Sequence, residues 1–276
     1  MLVIAIQSQV VVGHVGNSAA AFPMRAAGVE VLDVPTTLLS NHPRYPTVRG
    51  RVLEADLVAD LLRGVEERDA PARAAVVLTG YMGSTANAEV VADFVARAKA
   101  VNPTLLHVCD PVMGDEDVGF FAPPDLVAAF RDRLIPLADV LTPNRFELSA
   151  ITGAPAGDGA LSAQAAGSLR RTVAVTGVFS ADGATVSTIV TSAGAAWSVT
   201  TPRLHTRPAG TGDLFAGLFA ARVAQRVAAQ DAAALAVSGV FAALRHTPAE
   251  RWAEMPITAR IEAILRPDPL FPAEPL

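Results

Sequence analysis

Residues 207–218 read RPAGTGDLFAGL, and Gly210, Thr211, Gly212 and Asp213 open a long apolar segment there. Glycines at a helix start let the backbone approach an anion, and the first amides of the helix present their N–H groups to it. Arg207, Pro208 and Ala209 lead into that turn. A carboxylate beside an anion hole is unfavourable unless it has a proton to take. Asp213 has that task if an alcohol attacks phosphorus, because phosphoryl transfer needs positioning, charge neutralisation and an oriented nucleophile. Taken alone, GTGD suits a plain helix start equally well. No GxxxxGK[ST] occurs, and no GxGxxG follows the first apolar run. Those absences disfavour a P-loop and a dinucleotide site.

A second group of residues is acidic. Asp110 and Asp115 stand in DPVMGDE, and Glu147 stands in TPNRFE beside Thr142 and Asn144. Thr176 ends another apolar run. Carboxylates gathered on one rim repel one another unless a cation sits among them, and Mg2+ bridges phosphates to a few carboxylates. The competing reading is that these acids cap helices or pair with arginines.

Such clusters need elements that gather them. Apolar runs at 2–6, 29–39, 74–80, 104–110 and 139–144 alternate with helical spacing at 18–28, 53–68, 87–102 and 125–137. This alternation predicts a parallel sheet covered on both faces. Ligands bind such sheets beyond the carboxyl ends of the strands, where Ser8, residues 38–45 and residues 79–84 fall. Residues 172–177, 185–193 and 196–204 read as strands with only turns between them, an antiparallel edge. Helices are expected near 211–227, 231–245 and 257–265, and proline makes the tail 267–276 irregular. With no linker or repeat, residues 1–276 are expected to form a single α/β domain with a mostly parallel central sheet and antiparallel edge strands.

Composition narrows the class. Hydrophobic residues make up 51% of the chain and charged residues 18%, enough to bury a large core. The net charge of -5, without a basic run, argues against nucleic acid as a partner. The single cysteine, Cys109, points to a cytoplasmic location and reads as a buried apolar residue. No run is long enough to span a membrane. His14 reads as a loop histidine, and His107, His205 and His246 show no ligand spacing. Met24, Met82 and Met113 read as packing residues, and Trp197 and Trp252 have no visible partner.

The clusters together resemble the pyridoxal kinases of the ribokinase-like superfamily. The resemblance runs from Leu2 to about Leu244, through IQSQVVVGHVGNSAAAFPMRAAG, SNHPRY, GYMGS, CDPVMGD, TPNRFEL and GTGDLFAGL. DPVMG and GTGD also suit neighbouring kinases, whereas the first motif together with SNHxxY points to the pyridoxal branch. The resemblance implies a ribokinase-like three-layer α/β/α sandwich and, commonly, a homodimer. The implied reaction is ATP-dependent phosphorylation of the 5'-hydroxymethyl group of pyridoxal, giving pyridoxal 5'-phosphate in vitamin B6 salvage. It implies that Ser8 hydrogen-bonds the pyridoxal ring, that Tyr81 packs on it, and that His42, Pro43 and Arg44 form the substrate loop. Asp213 corresponds to the catalytic base, with Gly210, Thr211 and Gly212 as the anion hole. Asp110, Thr142 and Thr176 correspond to a site for a monovalent cation, K+ or Na+, while Asp115 and Glu147 correspond to the Mg2+ and phosphate network. Asn144 falls near the triphosphate, with Arg207, Pro208 and Ala209 also on the ATP side, and residues 115–121 match a lid.

Some positions depart from the family pattern. Pro43 stands where threonine is common, and Phe121 where some members have tyrosine. Residues 157–171 look short for the family's helix. The related pyrimidine kinases of vitamin B1 synthesis carry cysteine at the base position, so Asp213 favours the pyridoxal branch. Two rivals follow: a kinase for pyridoxine, pyridoxamine or hydroxymethylpyrimidine, and a non-catalytic vitamin B6 carrier or sensor. The retained Asp213, Asp110 and Glu147 argue against the second.

Overall fold

Strand β1 (Leu2–Val10) sends Leu2, Ile4 and Ile6 into one hydrophobic core and Val3 and Ala5 into another. That period of two, with both sets buried, marks a central strand covered by helices on both faces. The computed structural model describes residues 1–250 and 252–276. Its first half runs α1 (Asn17–Ala26), β2 (Glu30–Leu39), β3 (Gly50–Val52), α2 (Ala55–Glu66), α3 (Ala70–Arg73), β4 (Ala74–Thr79), α4 (Thr85–Val101) and β5 (Leu106–Cys109). A small hairpin of β6 (Gly114–Asp115) and β7 (Gly119–Phe120) follows. Then come α5 (Pro124–Ala129), β8 (Val140–Leu141), α6 (Arg145–Thr152), α7 (Gly159–Ser168), β9 (Thr172–Phe179), β10 (Thr185–Ser192) and β11 (Ala195–Pro202). The chain closes with α8 (Thr211–Ala224), α9 (Ala229–Arg245), α10 (Ile261–Leu265) and β12 (Glu274–Pro275).

The main sheet has 10 strands in the order β12-β11-β10-β9-β8-β5-β4-β1-β2-β3. Pairing is parallel from β2 through β9. It is antiparallel at both edges, β2–β3 on one side and β9 to β12 on the other. Side chains from α1, α8, α9 and α10 build the core on one face, and those from α2 and α4 to α7 build the other. This is the expected three-layer α/β arrangement, and its parallel centre sends the loops after β1, β4, β5 and β8 to one rim. Helices α1 and α8 lie close together, because a Cβ on Gly217 would stand 2.7 Å from that of Ala20. That approach fixes the start of α8 against the loop after β1.

Several boundaries differ from expectation. The helix predicted over 125–137 is α only to Ala129, then π-helical over Phe130–Leu134 and 3-10 over Ile135–Leu137. Pro136 has no N–H for a continuing α-helix. The last helix begins at Ile261 rather than 257. The proline-rich tail is not wholly irregular, since β12 pairs Pro275 with Trp197 and Glu274 with Ser198. Proline is tolerated there because the strand lies at the sheet edge. Residues 157–171 contain a full helix, α7.

Candidate active site

Gly210 caps α8 with a left-handed backbone (φ 84) and no side-chain cap. The first amides of the helix therefore have no side-chain acceptor, the condition for an anion site. A Cβ on Gly210 would stand 1.7 Å from the His14 carbonyl oxygen, so only glycine lets the turn lie this close to the loop after β1. Asp213, in the first turn, accepts the Gly16 backbone N–H. Burial raises its pKa, and the Gly16 bond only partly opposes that shift. Gly16 in turn sits on Ser8, where an added Cβ would meet the Ser8 carbonyl oxygen at 2.1 Å and its hydroxyl at 2.5 Å. Ser8 lies at an irregularity in the β1–β2 register, between Gln7 and Gln9. Gly16 thus links Ser8 to Asp213, and His14, two residues before it, lies against the Gly210 turn, so two distant motifs meet.

The acids collect at the ends of β5 and β8. Asp110 and Glu147 are 5% and 4% exposed. The Thr142 hydroxyl donates to Asp110 Oδ1 at 3.0 Å. Glu147 accepts the backbone N–H groups of Met113 at 2.9 Å, Gly114 at 3.4 Å and Asn144 at 2.9 Å. Asn144 returns the interaction by accepting the Glu147 N–H at 2.8 Å, a capping box on α6. Its amide also donates to the Gly114 carbonyl at 2.8 Å, and the Thr176 N–H donates to the Pro143 carbonyl at 3.0 Å. Asp110, Thr142, Asn144, Glu147 and Thr176 are therefore brought together as expected. Burial pushes Asp110 well above the carboxylate range, helped by repulsion from Glu147 and Asp213. Burial raises Glu147 to about 8 against the pull of its amide donors.

Among the described residues neither Asp110 nor Glu147 forms a salt bridge. Nor does any group of three or more His, Cys, Asp or Glu side chains form a metal cage. Buried, mutually repelling carboxylates suit a cation, but one that takes other ligands from bound phosphates. Asp115 adds its repulsion to Glu147 but has a cationic partner of its own. It meets Arg207 at 3.3 Å, and Arg207 also pairs with Asp117. The helix-capping reading thus holds for Glu147 and the arginine-pairing reading for Asp115. The Arg207 guanidinium ties the β6–β7 hairpin to the segment before the Gly210 turn.

Among the residues expected to hold the substrate, the Thr36 hydroxyl donates to the Tyr81 carbonyl at 2.7 Å, and burial raises the Tyr81 hydroxyl pKa. The Tyr81 and Phe121 rings lie 6.4 Å apart, so the expected ring-stacking residue touches the expected lid. The Arg44 N–H donates to His42 Nδ1 at 3.2 Å. Pro43 and Arg44 are exposed. His14 and His42 are both held below the ordinary histidine pKa, chiefly by burial.

A family model described as phosphomethylpyrimidine kinase matches residues 40–257. Among curated relatives, pyridoxal kinase PdxY of Rubrobacter xylanophilus is 39% identical over 277 residues, covering 98% of this chain and 96% of that protein. Pyridoxal kinase PdxY of Corynebacterium diphtheriae is 37% identical over 280 residues, covering 99% of each. The chain belongs to the pyridoxal kinase family. Pyridoxal kinase from Leishmania donovani, solved with ADP and pyridoxamine, superposes with a TM-score of 0.92 at 27% identity, covering 100% of this chain and 99% of that one.

Within this pyridoxal kinase fold some residues had no sequence signal for a role. His14 reads as an ordinary loop residue, yet its carbonyl meets Gly210 and its N–H donates to Glu254 at 3.1 Å. Gly13 and Gly16 were the available clues, since both adopt positive φ. Trp252, expected without a partner, stacks on Tyr45 with ring centroids 5.0 Å apart. Cys109, Met24, Met82 and Met113 are buried as expected. Among the described residues no helix is long and apolar enough to cross a membrane.

Proposed function

We propose that this chain transfers the γ-phosphate of ATP to the 5'-hydroxymethyl group of pyridoxal, with residues 1–276 acting as one kinase domain. The observation that carries the reading is the junction of Asp213, Gly16, Ser8 and the left-handed Gly210 turn. Ser8 holds the pyridoxal ring beside Asp213, and Tyr81 packs on the ring with His42, Pro43 and Arg44 around it. Asp213 takes the proton of the alcohol. The alcohol oxygen forms its bond to the γ-phosphorus as the bond to the ADP oxygen breaks. The amides of Gly210, Thr211 and Gly212 hold the phosphoryl group, as expected of orphan donors at a helix start. Arg207, Pro208, Ala209 and Asn144 flank the ATP phosphates.

Asp110 and Glu147, with Thr142, Thr176 and Asp115 nearby, are the residues that would hold Mg2+ and a monovalent cation. Such cations neutralise phosphate charge when bound. We extend the reading to a cytoplasmic homodimer. Exposed Val11, Val12 and Leu38, 84%, 57% and 41% accessible, support a covered apolar face.

Asp213→Asn tests the assignment. It should lower kcat by roughly 10²–10⁴, the usual share of a general base, with little change in KM for ATP. Near wild-type turnover would sink the role of Asp213. The phosphomethylpyrimidine kinase model supports a second reading, in which hydroxymethylpyrimidine is the better acceptor. Comparing kcat/KM for pyridoxal, pyridoxine, pyridoxamine and hydroxymethylpyrimidine separates the two.

A further inference from the structure

The segment after α9 returns to the site, and the mechanism above uses none of it. Its Glu254 carboxylate lies between two loops. Oε2 accepts the His14 backbone N–H at 3.1 Å, and Oε1 accepts the Tyr45 hydroxyl at 2.7 Å. That bond, with burial, pushes the Tyr45 pKa up to about 12, so the hydroxyl keeps its proton. The Trp252 carbonyl lies 3.0 Å from the same hydroxyl, and the two rings stack at 23° between planes. Gly13 is part of the same arrangement: a Cβ there would stand 2.5 Å from Glu254 Oε1, on a backbone with φ +93. The Glu254 side chain is 25% exposed. Both of its bonds are charge-assisted, the stronger class of hydrogen bond.

We propose that Glu254 is a positioning residue that ties the substrate loop to the phosphate turn. Through Tyr45 it holds residues 41–45, which turn back on themselves where the Tyr45 N–H donates to the His42 carbonyl at 3.1 Å. Through His14 it holds the loop whose next contacts are Gly210 and, from Gly16, Asp213. One carboxylate thus sets the distance between the group that surrounds the acceptor and the group that carries the phosphoryl. The inference rests on the kinase reading above.

The test uses Glu254→Ala, Glu254→Gln and Tyr45→Phe. Glu254→Ala should raise KM for pyridoxal by about tenfold, the scale of one charge-assisted hydrogen bond, while KM for ATP stays put. Glu254→Gln keeps an acceptor for one of the two donors and should recover part of the loss. Tyr45→Phe should match that intermediate, and adding it to Glu254→Ala should cost little more, because the two share one interaction. A packing residue would instead move both KM values with thermal stability, and that outcome overturns the proposal. Unchanged pyridoxal KM in all three variants also overturns it. If Glu254→Ala does not fold, Glu254→Gln and Tyr45→Phe carry the test. Hydrogen exchange in the ligand-free protein decides independently of activity. Residues 13–16 and 41–45 should exchange faster together in Glu254→Ala, or in Glu254→Gln if the alanine variant does not fold, while β1 and β4 keep their protection. Protection retained in either loop refutes the clamp. Wild-type protein that phosphorylates no B6 vitamer would refute the kinase reading alone, leaving the exchange result to judge Glu254.

Discussion

Gly210→Ala is the sharpest perturbation of the phosphate turn. The new Cβ would stand 1.7 Å from the His14 carbonyl oxygen, whereas real Cβ atoms keep at least 3.0 Å. The two segments must therefore separate by 3.0 minus 1.7, or 1.3 Å. His14 is poorly placed to yield, because its own N–H is held by Glu254 at 3.1 Å. The GTGD turn moves instead, and with it the amides proposed to hold the phosphoryl group. A misplacement of about 1 Å can cost on the order of 100-fold in rate. The left-handed backbone adds about 1–2 kcal/mol for any residue with a Cβ. In a chain of this size that lowers Tm by roughly 2–8 °C. Steady-state ADP release with pyridoxal gives kcat, and a circular-dichroism melt gives Tm. Gly212→Ala is the control, since a Cβ there meets nothing within 4 Å. It should keep Tm and raise KM for ATP, because that open space is where the phosphate is proposed to lie. Wild-type kcat in Gly210→Ala would refute the claim that the close approach to His14 sets the reaction geometry.

Stability without divalent cations should fall as pH rises from 6.5 to 8. Glu147 has its folded pKa raised from 4.5 to about 8, so the folded state keeps a proton that the unfolded chain has released. That contribution is complete below 4.5 and is lost as pH rises through about 8, with buried Asp110 shifted in the same direction. His107, lowered from 6.5 to about 4, works the other way, as do His14 and His42, but that opposing rise ends about one unit above 6.5, once the unfolded imidazoles have lost their protons. The Glu147 share over this window is about 2 kcal/mol, at about 1.4 kcal/mol per pH unit per proton. Urea unfolding at the two pH values measures it. Glu147→Gln should flatten the slope, and stability that rises with pH would refute the argument. Arg207→Ala should leave Tm nearly unchanged, since exposed pairs contribute about 0–1 kcal/mol. It should raise KM for ATP in the same assay, because it frees the β6–β7 hairpin from the segment before the phosphate turn. An unchanged KM would show that the Arg207 contacts with Asp115 and Asp117 are incidental.

Legibility followed the range of the interactions. β1 and β4 were readable because each opens on an unbroken apolar run, Leu2–Ile6 and Ala74–Leu78, as burial on both faces requires. The cluster of Asp110, Thr142, Asn144, Glu147 and Thr176 was readable because parallel pairing brings the ends of β5 and β8 beside the middle of β9, where Thr176 lies three residues short of the strand's end at Phe179. Parallel crossovers bury strand centres and leave strand ends free, so polar residues at an end announce themselves. The clamp at Glu254 was not readable. Its partners His14 and Tyr45 lie 240 and 209 positions away, and no periodicity links them. Gly13 carried a trace of it, as a glycine kept small by an acid near the other end of the chain. The break of the helix after Ala129 and the short pairing of β12 depended on local competition that propensity does not resolve.

The carboxylates that looked redundant differ in the donors they hold, and that difference can divide their roles. Glu147 is tied by the amides of Met113, Gly114 and Asn144, which fix both oxygens to α6 and to the loop after β5. Asp110 takes the Thr142 hydroxyl and faces its charge toward Glu147 and Asp213. Asp213 receives the Gly16 amide at a helix start, where burial raises its proton affinity. A carboxylate has about four lone-pair sites, so one amide leaves room for a substrate proton, and a raised pKa makes the acceptor stronger. Environments that separate chemically identical groups are how acid and base assignments arise. An acid beside the anion site is then no contradiction. Under the proposed assignment, the same burial that makes Asp213 unwelcome as a charge would make it effective as a base, and the buried pair behind it would supply the negative field that a phosphate-bound cation offsets.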